Sequence, residues 1–328
     1  MYSGAGGLDL GFGYAGFETL WANDFLKEAA DTWTKNLGPQ MHHGDVLKVQ
    51  FPDLKPDVVI GGPPCQSFSS AGKMDPNDPR ADHVFHFLDA VSRYKPKVFV
   101  MENVKNLAQN SRFDKVRAEL FRRAEAMGYK TELFLLNASH YDTPQARERM
   151  FLIGSLGDSV KMPQPTTLSS PPTVRDTLQK LPAWGRPGND SKCTAVITPA
   201  KNPVLRVSPF AGMLFNGAGR PLNFDAPSLT LPASMGGNKT PIIDQQAWDS
   251  GVTPWVIGYH KRLRNGGAPV KKIPNFLRRL TVEEAAALQS FPQGYQFQGS
   301  QSMKFHQIGN AVPPYLAYHV AKAVREVL

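Results

Sequence analysis

Residues 57–69 read DVVIGGPPCQSFS, a short run of β-branched apolar residues that stops on two glycines and two prolines. An apolar run of this length, bounded by turn residues, reads as a buried strand followed by a turn. Gly61 and Gly62 permit close backbone approach, while Pro63 and Pro64 stiffen the chain and fix where the Cys65 sulfur points. A thiol presented in this way suits nucleophilic attack. With an ordinary pKa of about 8.5 it needs a base, a cation or a helix terminus close by.

Working outward from this stretch, strands and helices alternate. The β-type runs are FETLWA (17–22), DVVIGG (57–62), PKVFVMEN (96–103), TELFLLNA (131–138) and RMFLIGS (149–155), with helical patterns over 27–36, 84–94 and 113–127. The alternation predicts an α/β fold, a doubly wound, mostly parallel sheet with helices on both faces. Ligands of such sheets bind beyond the carboxyl ends of the strands. Glu102 falls at such an end, 37 residues beyond Cys65, where partial burial would raise its pKa and let it carry a proton. Arg147 and Arg149, in QARERM (145–150), stand two apart ahead of an apolar strand and share a face if strand conformation begins there. The opening MYSGAGGLDLGF (1–12) sets Gly4, Gly6 and Gly7 in a turn of the kind that passes close under a ligand.

The 328 residues, 41% of them hydrophobic, are enough for one large domain and a smaller one. There is no run of about 18 apolar residues and no basic-then-apolar leader, so a cytoplasmic protein is expected, without a membrane span. Two cysteines, Cys65 and Cys193, are too few for a disulfide framework or a cysteine-based zinc site, and no metal is expected. The net charge of +9 lies in residues 161–275, which hold 14 Lys+Arg against 5 Asp+Glu and 16 of the 28 prolines. Such a segment predicts a second, irregular domain that meets a polyanion. After it, Thr281 and Glu284 form a capping-box pattern, and a last helix is expected over 315–327.

PPCQ, MENV (101–104) and QARERM, in this order, resemble the motifs of the DNA (cytosine-5)-methyltransferases of bacterial restriction–modification systems. YSGAGGLDLG, WAND (21–24), GDV (44–46), RRLTVEEAAALQSFP (278–292) and QIGNAVPP (307–314) extend the resemblance over nearly the whole chain. It implies the S-adenosylmethionine-dependent methyltransferase fold, with residues 1–160 as catalytic and cofactor-binding domain, 161–275 as target-recognition domain, and 276–328 returning to the first. It implies Cys65, Glu102, Arg147 and Arg149 as catalytic residues, with thiolate addition to carbon 6 of a flipped cytosine preceding methylation of carbon 5. For S-adenosylmethionine it implies Tyr2, Ser3, Gly4, Ala5, Gly6 and Gly7 at the methionine end, Asp24 at the ribose, Phe25 against adenine and Asp45 at its amino group. Asn310 and Ala311 would close that pocket. A nicotinamide dinucleotide fits badly, because Asp9 stands where Gly-x-Gly-x-x-Gly needs its last glycine.

By the same resemblance, Gln66 and Ser69 of the nucleophile loop contact DNA, and residues 67–83 form a mobile loop that closes over it. Thr230 of a Thr-Leu pair, Gly236 and Gly237 belong to the recognition domain. From 261 to 279, Lys261, Arg262, Arg264, Lys271, Lys272, Arg278 and Arg279 stand without an acidic residue and suit phosphate contacts. The expected partner is double-stranded DNA, the expected state a nucleoid-associated monomer, and any cognate restriction endonuclease acts separately. The alternatives are a tRNA methyltransferase of the same fold, against which the basic insertion argues, and an inactive DNA-binding relative, which needs a missing catalytic residue. Relatives carry apolar residues of a central strand before the glycine turn, where only Met1 and Tyr2 stand here, so the native chain is expected to begin upstream.

Overall fold

The structure is a computed structural model that describes residues 1–68, 75 and 79–328. The chain divides into two compact units, one of Met1–Asp142, Arg147–Ser169 and Ala311–Leu328, the other of Thr143–Ala146 and Ser170–Asn310.

The first unit runs through α1 (Gly7–Tyr14), β1 (Ala22–Asp24), α2 (Lys27–Leu37), β2 (Met41–His43), β3 (Val58–Gly61), α3 (His83–Tyr94), β4 (Val98–Val104), α4 (Lys105–Gln109), α5 (Asp114–Ala126) and β5 (Lys130–Asn137). After β6 (Gln145–Ala146), which belongs to the second unit, β7 (Glu148–Ser155) returns to the first. Four strands form a sheet in the order β3-β4-β7-β5. β3 and β4 are parallel, and β7 lies antiparallel to both β4 and β5. Three of the four strands therefore share a direction and one is reversed, which the apolar pattern of RMFLIGS could not reveal.

β4 reads as an unbroken apolar run because both of its faces are covered. Val98 and Val100 pack with Leu8, Phe12, Phe151 and Ile153 on one side. Phe99 and Met101 pack with Phe87, Phe113 and Leu120 on the other. β1 and β2 form a separate parallel pair. The strand expected over 17–22 starts only at Ala22. The preceding apolar residues anchor a loop instead: the Phe17 ring lies 5.2 Å from Phe12, the Trp21 ring 5.6 Å from Phe51, and Leu20 is half exposed. Residues 1–3 run between the edges of β3 and β1. The Met1 ammonium donates to the Ile60 carbonyl at 2.8 Å, and the Ser3 N–H donates to the Asn23 carbonyl at 2.9 Å.

The second unit contains α6 (Val174–Leu178), β8 (Pro199–Val204), β9 (Met213–Phe215), β10 (Ser228–Leu229), β11 (Ile242–Asp244), α7 (Gln245–Ser250), α8 (Trp255–Arg264), β12 (Leu277–Arg279), α9 (Val282–Leu288) and α10 (Gln301–Asn310). Its strands are two-stranded pairs around Leu214, Phe215, Ile242, Val256, Tyr259 and Leu277, as irregular as the proline content implies. The capping box at Thr281 and Glu284 forms. Residues 276–310 pack with this unit, not with the first, because β12 pairs with β11 and Arg278 Nε donates to Gln245 Oε1 at 2.7 Å, while its other nitrogens hold Glu284 at 2.8 and 2.7 Å. Only α11 (Pro314–Arg325) rejoins the first unit, bringing Leu316, Val320 and Val324 to the α1 side of the sheet. Gly11 permits that contact: a Cβ there would stand 2.3 Å from Ala317 Cβ.

Candidate active site

Because β7 is reversed, its beginning lies at the rim where β3 and β4 end. In the β4–β7 register Glu102 faces Phe151 and Val104 faces Arg149, so Glu102 and Arg149 are diagonal neighbours on one face. Arg149 Nε donates to Glu102 Oε1 at 2.9 Å. The loop after β3 is pinned beside them: Asn103 Nδ2 donates to the Pro63 carbonyl and Asn106 Nδ2 to the Phe68 carbonyl, both at 3.1 Å. Gly62 allows the loop to lie close, since a Cβ there would stand 3.2 Å from Glu102 Oε2. The structure thus brings Cys65, Glu102, Arg147 and Arg149 to one rim. The anchoring role of Asn103 was legible in MENV only as part of a motif.

Burial dominates the electrostatics. It pushes the Glu102 carboxyl group above the usual carboxylate range, with Arg149 and Arg147 offsetting part of the effect. The Cys65 thiol is also pushed up by burial, then by the Glu102 charge, against the downward pull of Arg149 and Arg147. The cations expected to help the thiol are present, and desolvation outweighs them. Arg147 is fully buried, which drives its pKa well down. Gln66 is exposed and accepts from Arg80 Nη1, while Ser69 and most of the 67–83 stretch lie outside the described residues.

The glycine turn lies in the same unit. Gly4 (φ +53°) and Gly6 (φ +85°) take left-handed backbone, and open space lies where a Cβ of Gly4 would point. A Cβ on Gly7 would meet the Val312 carbonyl oxygen at 2.2 Å and Ala311 Cβ at 3.3 Å. Asp24, at the end of β1, accepts from the Gly4 N–H at 2.7 Å and the Leu26 N–H at 2.9 Å. Its carboxyl group is pushed up by burial, and those two bonds offset part of the shift. Asn23 Nδ2 donates to the His42 and Gly44 carbonyls, both at 3.0 Å, which sets the end of β2 and half-buried Asp45 beside the end of β1. Phe25 presents its ring at 74% exposure, whereas Ser3 and Ala5 are buried. Tyr2 meets His83 Nδ1 through its hydroxyl at 3.0 Å, a partner for which the sequence held no signal. Asn310 falls in the second unit, where its amide meets His306 Nε2 at 2.9 Å, so of the expected closing pair only Ala311 lies in the first.

In the second unit Lys261, Arg262 and Arg264 are exposed on the last turns of α8, and Lys271 and Lys272 follow them, also exposed. Arg278 and Arg279 do not belong with them. Arg278 is bound to Glu284 and lies 4.8 Å from the Trp184 ring, and buried Arg279 donates to the Thr240 carbonyl at 2.7 Å. Both serve the interior of the unit. Thr230 is exposed with its hydroxyl donating to the Ala146 carbonyl at 2.8 Å; Gly236 (φ +102°) and Gly237 lie in the loop beyond it.

Among the described residues no cluster of His, Cys, Asp or Glu could hold a metal ion, and no helix is long and apolar enough to cross a membrane. An α/β sheet whose rim carries an open glycine turn, a thiol, a buried carboxyl group and two guanidinium groups has the layout of a group-transfer enzyme. The signature of the C-5 cytosine-specific DNA methylases matches residues 1–326, and the chain belongs to that family: it is a DNA (cytosine-5)-methyltransferase. It is 32% identical to the Type II methyltransferase M.FnuDI of Fusobacterium nucleatum, over 100% of this chain and 94% of that protein. It is likewise 32% identical to M.MthTI of Methanothermobacter thermautotrophicus, over 100% and 96%. Among solved structures, a DNA modification methyltransferase encoded within an E. coli prophage superposes with a TM-score of 0.69 at 23% identity, covering 99% of this chain and 97% of that one. Spodoptera frugiperda DNMT2 superposes with a TM-score of 0.67 at 17% identity, covering 99% and 98%. These two likenesses show the methyltransferase fold.

Proposed function

We propose that the protein transfers a methyl group from S-adenosylmethionine to carbon 5 of a cytosine turned out of double-stranded DNA, with Cys65 as nucleophile. The observation that carries this reading is the gathering of Cys65, Glu102, Arg147 and Arg149 on one rim of the first unit. Cytosine carbon 5 is a poor nucleophile. Addition of the Cys65 thiolate to carbon 6 forms a sulfur–carbon bond and moves the electron pair of the 5,6 double bond toward carbon 5. Arg149 and Arg147 favour the thiolate at the moment it forms. Glu102, held toward its protonated form by burial, suits ring nitrogen 3 and the exocyclic amine, where charge builds. Arg149, supported by Arg147, suits the ring carbonyl oxygen. Loss of the carbon 5 proton after methylation expels Cys65 as thiolate and restores the ring.

The residues of the glycine turn fit the cofactor. Open space at Gly4 leaves room for its methionine end, the Asp24 carboxylate suits the ribose hydroxyls, the exposed Phe25 ring suits adenine, and Asp45 suits its amino group. When bound, S-adenosylmethionine supplies an electrophilic methyl group on a sulfonium. A base stacked in a duplex cannot reach a rim at the ends of strands, so the target base is flipped out. The second unit reads the target, with Lys261, Arg262, Arg264, Lys271 and Lys272 on phosphates. The Type II relatives support a role in marking DNA within a restriction–modification system, the endonuclease acting separately. Labelled S-adenosylmethionine and mixed-sequence duplex DNA test the reading. Label should appear on cytosine carbon 5 and vanish with Cys65→Ser; label on an exocyclic amine, or transfer undiminished by that substitution, would overturn it.

A further inference from the structure

Within the second unit, the hairpin of β8 and β9 ends in a tip, residues 205–212 (LRVSPFAG), that takes no part in the chemistry above. Among the described residues Val207 is the most exposed large apolar side chain, at 92%, and Val204 and Leu205 beside it are exposed as well. A single exposed valine is ordinary. What sets this one apart is how firmly its backbone is held. Buried His260 of α8 donates through Nε2 to the Arg206 carbonyl at 2.8 Å, immediately before Val207. Immediately after it Ser208 closes a turn, its hydroxyl accepting from the Phe210 N–H and its carbonyl from the Ala211 N–H, both at 3.2 Å. Phe210 packs, half-buried, against the core around Phe215, Val256 and Tyr259. The strands meet at Val204 and Met213, and Gly212 lets them close, since a Cβ there would stand 2.7 Å from the Val204 carbonyl oxygen. His260 and Phe210 anchor the tip, and the Val207 side chain is left for something outside the fold.

The charge around the tip says what that is. From 191 to 224 the chain carries Lys192, Lys201, Arg206 and Arg220 and no Asp or Glu, and α8, which holds the tip, ends in the exposed cations Lys261, Arg262 and Arg264. Such surroundings suit a polyanion. A protein partner suits them poorly, because standard interfaces bury about 800 Å² on each side and deplete lysine. Phosphates are met by cations, and a valine offers them neither charge nor hydrogen bond. In a DNA groove its partners are the base edges, a thymine methyl group above all. We infer that the tip of the β8–β9 hairpin is a base-reading element, in which Val207 makes an apolar contact with a base edge in the major groove of duplex DNA while the cations around it hold phosphates. Val207 then sets the preference at one base-pair position of the target sequence. The inference rests on the proposed reading of the second unit as the part that recognises the target.

A random-sequence duplex library, methylated by the whole protein and sequenced for carbon 5 methylation, gives the preference at every position around the modified cytosine. Val207→Ala should relax that preference at one position by about fivefold or more. The other positions, the salt slope of DNA binding and Tm should stay as they are. Val196→Ala, 71% exposed at the opposite end of the hairpin, should leave the whole profile unchanged. If the Val207→Ala profile superposes on that of the wild type, or Val196→Ala relaxes it equally, the inference is wrong. It is equally wrong if Val207→Ala lowers only the salt slope, which makes the tip an electrostatic contact, or alters only the sedimentation of the protein, which makes it a contact between copies of the chain. Wild-type protein that methylates no cytosine carbon 5, or does so without sequence preference, overturns instead the reading on which the inference rests.

Discussion

Replacing Glu102 by Gln keeps the shape of the side chain and removes its charge and its transferable proton, with effects of opposite sign on catalysis and stability. For catalysis, loss of a preorganised donor at developing charge costs about 2.7–4 kcal/mol, or about 10²–10³ in rate. For stability, Glu102 is 8% exposed and burial raises its pKa despite the 2.9 Å contact with Arg149. A carboxyl group raised in this way holds its proton more tightly folded than unfolded. Its stabilising contribution is complete below the ordinary carboxylate pKa and is lost as pH rises through the raised one. Each unit of such a displacement amounts to about 1.4 kcal/mol, and in a domain of about 150–250 residues each kcal/mol moves Tm by about 2–4 °C. Gln mimics the protonated form at every pH. The variant should accordingly match the wild type near about pH 4 and exceed it in stability near about pH 8, while transferring methyl groups far more slowly. Melting curves across that pH range, paired with single-turnover transfer, give both quantities. A variant less stable than the wild type at the alkaline end, with the gap closing in acid, would show that the ion pair outweighs burial and would refute the reasoning.

Alkylation of Cys65, followed on its own peptide, should accelerate through the alkaline range and be faster at fixed pH in Glu102→Gln, because burial and then the Glu102 charge raise the thiol; a rate already flat near neutral pH contradicts this. Gly7→Ala should abolish cofactor binding and destabilise by at least about 1–3 kcal/mol, its Cβ lying 2.2 Å from the Val312 carbonyl oxygen. Gly13→Ala, on the same helix with nothing within 4 Å of the added atom, should stabilise by about 0.5–1 kcal/mol, and equal melting shifts for the two would count against the packing argument. Arg278→Met breaks a pair whose side chains are 11% and 3% exposed, so stability should fall by about 3–5 kcal/mol with the salt slope of DNA binding unchanged. Lys261→Ala should do the reverse, lowering that slope by about 1 at constant Tm.

The reach of the sequence can be judged strand by strand. β4 and β7 were legible because strands covered on both faces are nearly pure apolar runs, and the partly exposed edge strands β3 and β5 through their shorter apolar stretches VVI and LFLL; Glu102 was legible as a carboxylate near the end of such a run. The direction of β7 was not, since side-chain periodicity is the same read either way. Phe17, Leu20 and Trp21 misplaced β1 because aromatic residues anchor loops as readily as strands. Arg278 and Arg279 look the same in sequence as the exposed cations before them; only the positions of Glu284 and Thr240 in space tell an internal clamp from a phosphate contact. The passage of residues 143–146 through the second unit left no mark in QARERM, which reads only as the approach to an apolar strand.

The assembly of the first unit from three stretches of chain has a consequence for its synthesis. α11 leaves the ribosome only after the whole of the second unit, a delay on the order of ten seconds at ordinary translation rates. Until it arrives, Leu8, Phe12, Val98 and Val100 lack the helix that covers them, and the nascent chain shows an oily face of the kind that chaperones retain. The order of translation thus makes the unit that holds residues 1–142 the last to close, after the whole of the second has left the ribosome.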